Sequence, residues 1–97
     1  MNKRITSIEP FPDIEGYEVG LGEEYALVAI IQIMLDVLKL YYDNFGPVAL
    51  GGAYDSATEK AVKEFQRVNG LAETGRVDAE TWNRLAEEYN AALFENQ

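Results

Sequence analysis

Two short segments of the chain have nearly the same sequence, and each lies directly before a helical pattern. Residues 52–58 read Gly-Ala-Tyr-Asp-Ser-Ala-Thr, and residues 75–81 read Gly-Arg-Val-Asp-Ala-Glu-Thr. The aspartate of each segment can accept hydrogen bonds from the free N–H groups in the first turn of a helix. The glycine suits a tight turn leading into that aspartate. The repeat therefore predicts two helix starts, with Asp55 and Asp78 as N-cap residues.

The spacing of apolar residues predicts three helices. They are expected over about residues 23–42, 56–69 and 79–89 or beyond. Gly70 suits the end of the second helix, with Leu71 folding back onto it. The core residues expected on the second and third helices are Ala61, Val62, Phe65, Val68, Trp82, Leu85, Ala86 and Tyr89.

The first helix has a wider apolar surface than a three-helix core requires. One stripe consists of Leu27, Ile31, Met34, Leu38 and Tyr41, and the other of Ala26, Ile30, Ile33, Val37 and Leu40. Residues 1–22 contain prolines and glycines among several apolar residues, which indicates an extended arm. We expect this arm to cover the second stripe and give a monomer. A weak homodimer through the first helix is the alternative.

The composition excludes several classes of function. Apolar residues make up 47% of the 97 residues, which is enough for one small domain with a core. The net charge of −9 disfavours binding to nucleic acid or to an anionic membrane. Cysteine and histidine are both absent, and no other catalytic or metal-binding pattern is present. We therefore expect no enzymatic activity, metal or cofactor. We also expect no signal peptide, because no apolar segment follows the first residues.

The order of several motifs resembles the peptidoglycan-binding domain of the small three-helix type. The motifs are Ile31-Gln32, residues 52–66, Asn69-Gly70-Leu71 and residues 75–82. The family pattern is approximately V-x-x-L-Q, G-x-[YF]-[DG]-x-x-T-x-x-A-V-x-x-F-Q, N-G-L and G-x-[VI]-[DG]-x-x-T-W. The resemblance extends over about residues 20–90.

This resemblance implies an all-α fold, a compact three-helix bundle with an N-terminal extended arm. It divides the chain into an arm (residues 1–22), the domain (residues 23–92) and a C-terminal tail (residues 93–97). The implied function is non-catalytic binding of peptidoglycan, targeting or anchoring a larger wall or spore protein. That protein would lie in the cell wall, outside the cell or on the spore.

The resemblance also implies the partners. They are a glycan strand or stem peptide of peptidoglycan, and an attached hydrolase domain. The alternative is a protein-interaction module that uses the apolar first helix. A metalloprotease propeptide of the same fold is disfavoured, because its inhibitory cysteine is missing here.

Five residues are candidates for contact with the ligand. A partly exposed tyrosine offers sugar rings a flat platform and a hydroxyl, which indicates Tyr42 and Tyr54. Arg76 lies in the turn before the third helix and could pair with a carboxylate of the stem peptide. Gln66 and Trp82 are the remaining candidates. Hydrogen bonding to the loop backbone and packing in the core are the competing explanations for these two.

Overall fold

Three helices form the fold of the computed structural model, which describes residues 20, 22, 26–42, 45, 48 and 50–95. Helix α1 (Ala26–Leu38) continues into a 3₁₀ turn (Lys39–Tyr41). Helix α2 (Ser56–Val68) follows, and helix α3 (Ala79–Asn90) ends in a π-helical turn (Ala91–Glu95). The predicted all-α, three-helix fold is confirmed. Most of the predicted arm, the predicted start of α1 and the end of the tail lie outside the described residues, so the division into three segments stays a prediction.

The two predicted helix caps are present with matching geometry. The Thr58 N–H donates to Asp55 Oδ1 at 2.9 Å, and the Thr81 N–H donates to Asp78 Oδ1 at 2.9 Å. At the end of α2, Gly70 has a φ of 73°. The N–H groups of Gly70 and Leu71 donate to the carbonyls of Arg67 and Gln66, as in a Schellman motif.

The core lies between the three helices, where α1 packs against both α2 and α3. On α3 the four expected residues are all buried. On α2 the expectation is wrong for Val68, which is 52% exposed because it lies one residue before the C-cap. The buried apolar residues are Val28, Ile31, Met34, Leu35, Leu38, Val48, Tyr54, Ala61, Val62, Phe65, Val77, Trp82, Leu85, Ala86 and Tyr89.

The buried face of α1 contains Ile31, Met34 and Leu38 of the first predicted stripe but is rotated relative to the rest of that stripe and to the second stripe. Val28 and Leu35 belong to neither stripe and are fully buried. Ile33 and Leu40 of the second stripe are 42% and 75% exposed. A helix that is apolar on most sides carries little information about which side faces the core. The proposed cover over the second stripe lies outside the described residues.

Candidate ligand-binding site

Two buried glutamines hold the two repeated segments in place. Gln66 lies on α2, and its Oε1 accepts a hydrogen bond from the Gly75 N–H at 2.9 Å. Its Nε2 lies 3.0 Å from the Arg76 carbonyl and 3.2 Å from Thr81 Oγ1. Since Gln66 is 1% exposed and fully engaged with the loop, hydrogen bonding to the loop explains its presence.

Gln32 on α1 makes the corresponding contacts with the first segment. Its Oε1 accepts from the Gly52 N–H at 2.8 Å, and its Nε2 donates to the Ala53 carbonyl at 2.8 Å and to Thr58 Oγ1 at 3.0 Å. The glycine lies 20 residues after its glutamine here but 9 residues after it in the second segment. One arrangement of side chain and loop therefore occurs twice, with a longer connection in the first copy.

Tyr54 connects the two repeated segments and does not reach the surface. The predicted partial exposure of its ring is wrong, since only 2% of the residue is exposed. Its hydroxyl donates to the Gly75 carbonyl at 2.6 Å. The sequence could not indicate this, because the partner lies 21 residues away on the second segment.

Trp82 is also a core residue, with 3% of its surface exposed. It lies in the first turns of α3, where its backbone N–H donates to the Asp78 carbonyl at 2.9 Å. Little of the Trp82 ring is available to a ligand in this conformation, and the same holds for the side chains of Tyr54 and Gln66.

Arg76 is exposed, but its side chain packs against the chain before α1. A Cβ atom added to Gly20 would lie 2.3 Å from Arg76 Nη1, so a larger residue at position 20 would have to displace the end of the Arg76 side chain. The Gly22 N–H donates to the Tyr54 carbonyl at 2.9 Å. Residues 20 and 22 thus lie against both repeated segments.

Tyr42 is half-buried at the end of the 3₁₀ turn. Its ring stacks on Phe45 with centroids 4.7 Å apart, and its hydroxyl accepts from Asn69 Nδ2 at 3.0 Å. Burial raises the pKa of the Tyr42 hydroxyl above its ordinary value, so it stays protonated at neutral pH. Asn69 Oδ1 in turn accepts from Arg84 Nε at 3.2 Å.

This chain of contacts from Tyr42 ends at an open groove of about 640 Å³. The groove lies along α3, with Leu71 of the preceding loop contributing to it. Its lining residues are Leu71, Glu80, Asn83, Arg84, Ala86, Glu87 and Asn90. From the sequence, Leu71 and Ala86 were expected only as packing residues. The polar lining residues were not singled out, because polar residues at helical spacing are typical of an ordinary solvated helix face.

Neither a metal-binding cluster nor a membrane-spanning helix is found among the described residues. Within them, no group of three or more Asp, Glu, His or Cys side chains could hold a metal ion. No helix among them is long and apolar enough to cross a membrane.

The comparison with solved structures finds a peptidoglycan-binding protein from Clostridioides difficile, whose 2.05 Å crystal structure is a complex with glutamine hydroxamate. The two chains are 27% identical, with a TM-score of 0.66. The match covers 75% of this chain but only 42% of that protein. Among curated proteins, none matches the chain significantly.

The comparison with protein families identifies one domain model. Residues 24–85 match the family described as "Putative peptidoglycan binding domain". This range is more than half of the chain and includes α1, α2, both repeated segments and the first half of α3. The resemblance inferred from the ordered motifs is confirmed, and the chain belongs to this family of peptidoglycan-binding domains.

Proposed function

We propose that this chain is a non-catalytic module that binds peptidoglycan and thereby targets or anchors a larger protein to the wall or to the spore. The single observation behind this proposal is the family match over residues 24–85. The structural neighbour is longer than the matched region, which is consistent with a module within a larger wall protein. A hydrolase domain is the attached partner that we propose.

The candidate contact residues divide according to their exposure. Tyr54, Gln66 and Trp82 are each 3% exposed or less, so they support the site from within. Tyr42 and Arg76 retain accessible surface and stay candidates for direct contact. Tyr42 also connects through Asn69 to the groove on α3.

The experiment is co-sedimentation of the purified chain with insoluble Gram-positive peptidoglycan. We expect the chain to sediment with the wall and to leave the turbidity of a wall suspension unchanged. Tyr42→Ala and Arg76→Ala should weaken sedimentation while the circular dichroism spectrum stays that of the wild type. Arg67→Ala is a matched control, since Arg67 is an exposed arginine on α2 that pairs with Glu64.

Two results would count against the proposal. Sedimentation no greater than that of an unrelated protein of similar negative charge would reject wall binding. Loss of turbidity at a rate proportional to the protein concentration would reject a purely non-catalytic role.

A protein-interaction module is the second candidate function. Ile33 and Leu40 on α1 and its 3₁₀ turn are 42% and 75% exposed, which favours a protein partner for this surface. Sedimentation velocity of the wild type and of Leu40→Ser distinguishes the candidates. Self-association that the substitution abolishes would support the interaction module, and a monomer in both cases would favour the wall-binding module.

A further inference from the structure

We propose that the groove on α3 binds the stem peptide of peptidoglycan and not the glycan strand. The proposed ligand is a peptide of four or five residues that carries carboxylates and an ammonium group. This inference rests on the proposed function and specifies which part of the wall polymer the chain contacts.

The side chains that line the groove match a peptide better than a sugar. No aromatic ring is among the lining residues that the structure describes, so these residues offer no flat platform on which a sugar ring could pack. Its lining consists of a guanidinium, two carboxylates and two amides, with Leu71 and Ala86 contributing apolar surface. Amides pair with a peptide backbone, and the charged groups pair with its ionised ends and side chains.

Arg84 is positioned to bind a carboxylate. Its Nε donates to Asn69 Oδ1 at 3.2 Å and lies 3.6 Å from Glu88 Oε2. Within the part of the chain that the structure describes, Arg84 makes both of these contacts through Nε. The two terminal nitrogens therefore remain able to donate a pair of parallel hydrogen bonds to one carboxylate.

Asn69 holds this arginine from a fixed position. Its Nδ2 donates to the Phe65 carbonyl at 2.9 Å and to the Tyr42 hydroxyl at 3.0 Å. The amide thus connects the ends of α1 and α2 to the middle of α3. A guanidinium that is held before the ligand arrives loses less conformational freedom on binding.

Glu80 and Glu87 provide the complementary charge. They lie about one helical turn on either side of Arg84, and neither carboxylate pairs with a Lys or Arg in the part of the chain that the structure describes. Both are exposed and can accept hydrogen bonds from an ammonium group. The groove therefore presents alternating charges along one helix face.

The length of the groove fits a short peptide. Its lining on α3 extends from Glu80 to Asn90, which is about 15 Å at the rise of an α-helix. An extended chain spans roughly 3.3–3.6 Å per residue, so four or five residues fill this length. A groove of this size accommodates one stem peptide.

The test is a titration of the ¹⁵N-labelled full chain with two soluble probes. One is a synthetic tetrapeptide that has a lysine side chain and a free terminal carboxylate, and the other is the wall disaccharide without peptide. We expect the tetrapeptide to shift the backbone amides of Leu71 and of residues 80–90, and the disaccharide to leave them unchanged. The same peptide with an amidated C-terminus should bind about ten-fold more weakly, without any change in the protein.

Variants test the individual roles. Arg84→Gln should weaken tetrapeptide binding about ten-fold and remove the difference between the free and amidated peptides. Arg67→Gln is the control, because Arg67 is not among the groove's lining residues. This variant should bind the tetrapeptide as the wild type does. Glu80→Gln together with Glu87→Gln should weaken binding of the lysine peptide more than that of a peptide with norleucine in its place.

The outcomes separate this inference from the proposed function. A response to the disaccharide alone, or peptide binding that Arg84→Gln leaves unchanged, would overturn the inference. Wild-type protein that sediments with the wall but does not respond to the tetrapeptide would also overturn it, while leaving the proposed function in place. Failure to sediment with the wall would reject the proposed function itself.

Discussion

Replacing each buried glutamine by methionine separates the contributions of the two repeated segments. Methionine is close to glutamine in length and shape but forms none of its amide hydrogen bonds. Gln66→Met leaves the N–H of Gly75 and the hydroxyl of Thr81 without their partner. Both of these residues are buried, so water cannot replace the lost contacts.

Gln32→Met has milder consequences although the lost bonds are the same in kind. Gly52 is half-buried and Ala53 is exposed, so water can reach their backbone groups. Thr58 keeps a partner, because its hydroxyl donates to Asp55 Oδ1 at 2.7 Å.

A buried polar group without a partner costs about 1–3 kcal/mol. We expect Gln66→Met to lower the free energy of unfolding by about 2–4 kcal/mol, and Gln32→Met by about 1–2 kcal/mol. In a domain of this size, each kcal/mol lowers Tm by about 4–8 °C. Gln66→Met should therefore melt at least roughly 8 °C below the wild type.

Thermal and urea unfolding, followed by far-UV circular dichroism, measures both variants at the same protein concentration. Equal destabilisation by the two substitutions would show that exposure of the loop backbone does not set the cost. A Gln66→Met variant as stable as the wild type would refute the reasoning altogether.

Three further substitutions test the same region by urea unfolding. Tyr54→Phe removes the bond to the Gly75 carbonyl and should cost about 1–3 kcal/mol; an unchanged midpoint would contradict this. Gly75→Ala should destabilise the fold more than Gly52→Ala does. Both glycines have a positive φ, but only a Cβ atom at position 75 would contact α2, at 2.9 Å from the Glu59 side chain. A larger loss of stability for Gly52→Ala would be inconsistent with this packing. Asp55→Ala should cost about 0.5–2 kcal/mol at pH 7. The Thr58 hydrogen bonds lower the pKa of the Asp55 carboxyl, so this stabilisation is present above the unfolded pKa of about 3.9 and is lost as the pH falls through the lower folded value; a difference from the wild type that stays constant into strong acid would count against it.

The starts of α2 and α3 and the end of α2 were predictable because local chemistry determines them. Asp55 and Asp78 each act within three residues of their own position, and Gly70 ends α2 through its own backbone conformation. The inward face of α3 was predictable because polar residues surround it on the remaining sides. In these places sequence spacing alone carries the structural information.

The candidate site was less predictable because it depends on contacts between distant residues. The sequence could not show that Tyr54 points to Gly75, or that residues 20 and 22 lie against the repeated segments. The face of α1 was ambiguous because its apolar residues occur on most sides. Arg84 resembles any surface arginine until Asn69, 15 residues away, is seen to hold it.

A saturation isotherm on purified cell walls tests the central claim, peptidoglycan binding, most directly. The bound fraction of the wild-type chain is measured over a range of wall concentrations, with soluble peptidoglycan fragments added as competitors. The account predicts saturable binding that these fragments reverse. Binding that rises linearly without saturation, or that the fragments do not reduce, would indicate non-specific adsorption and contradict the account.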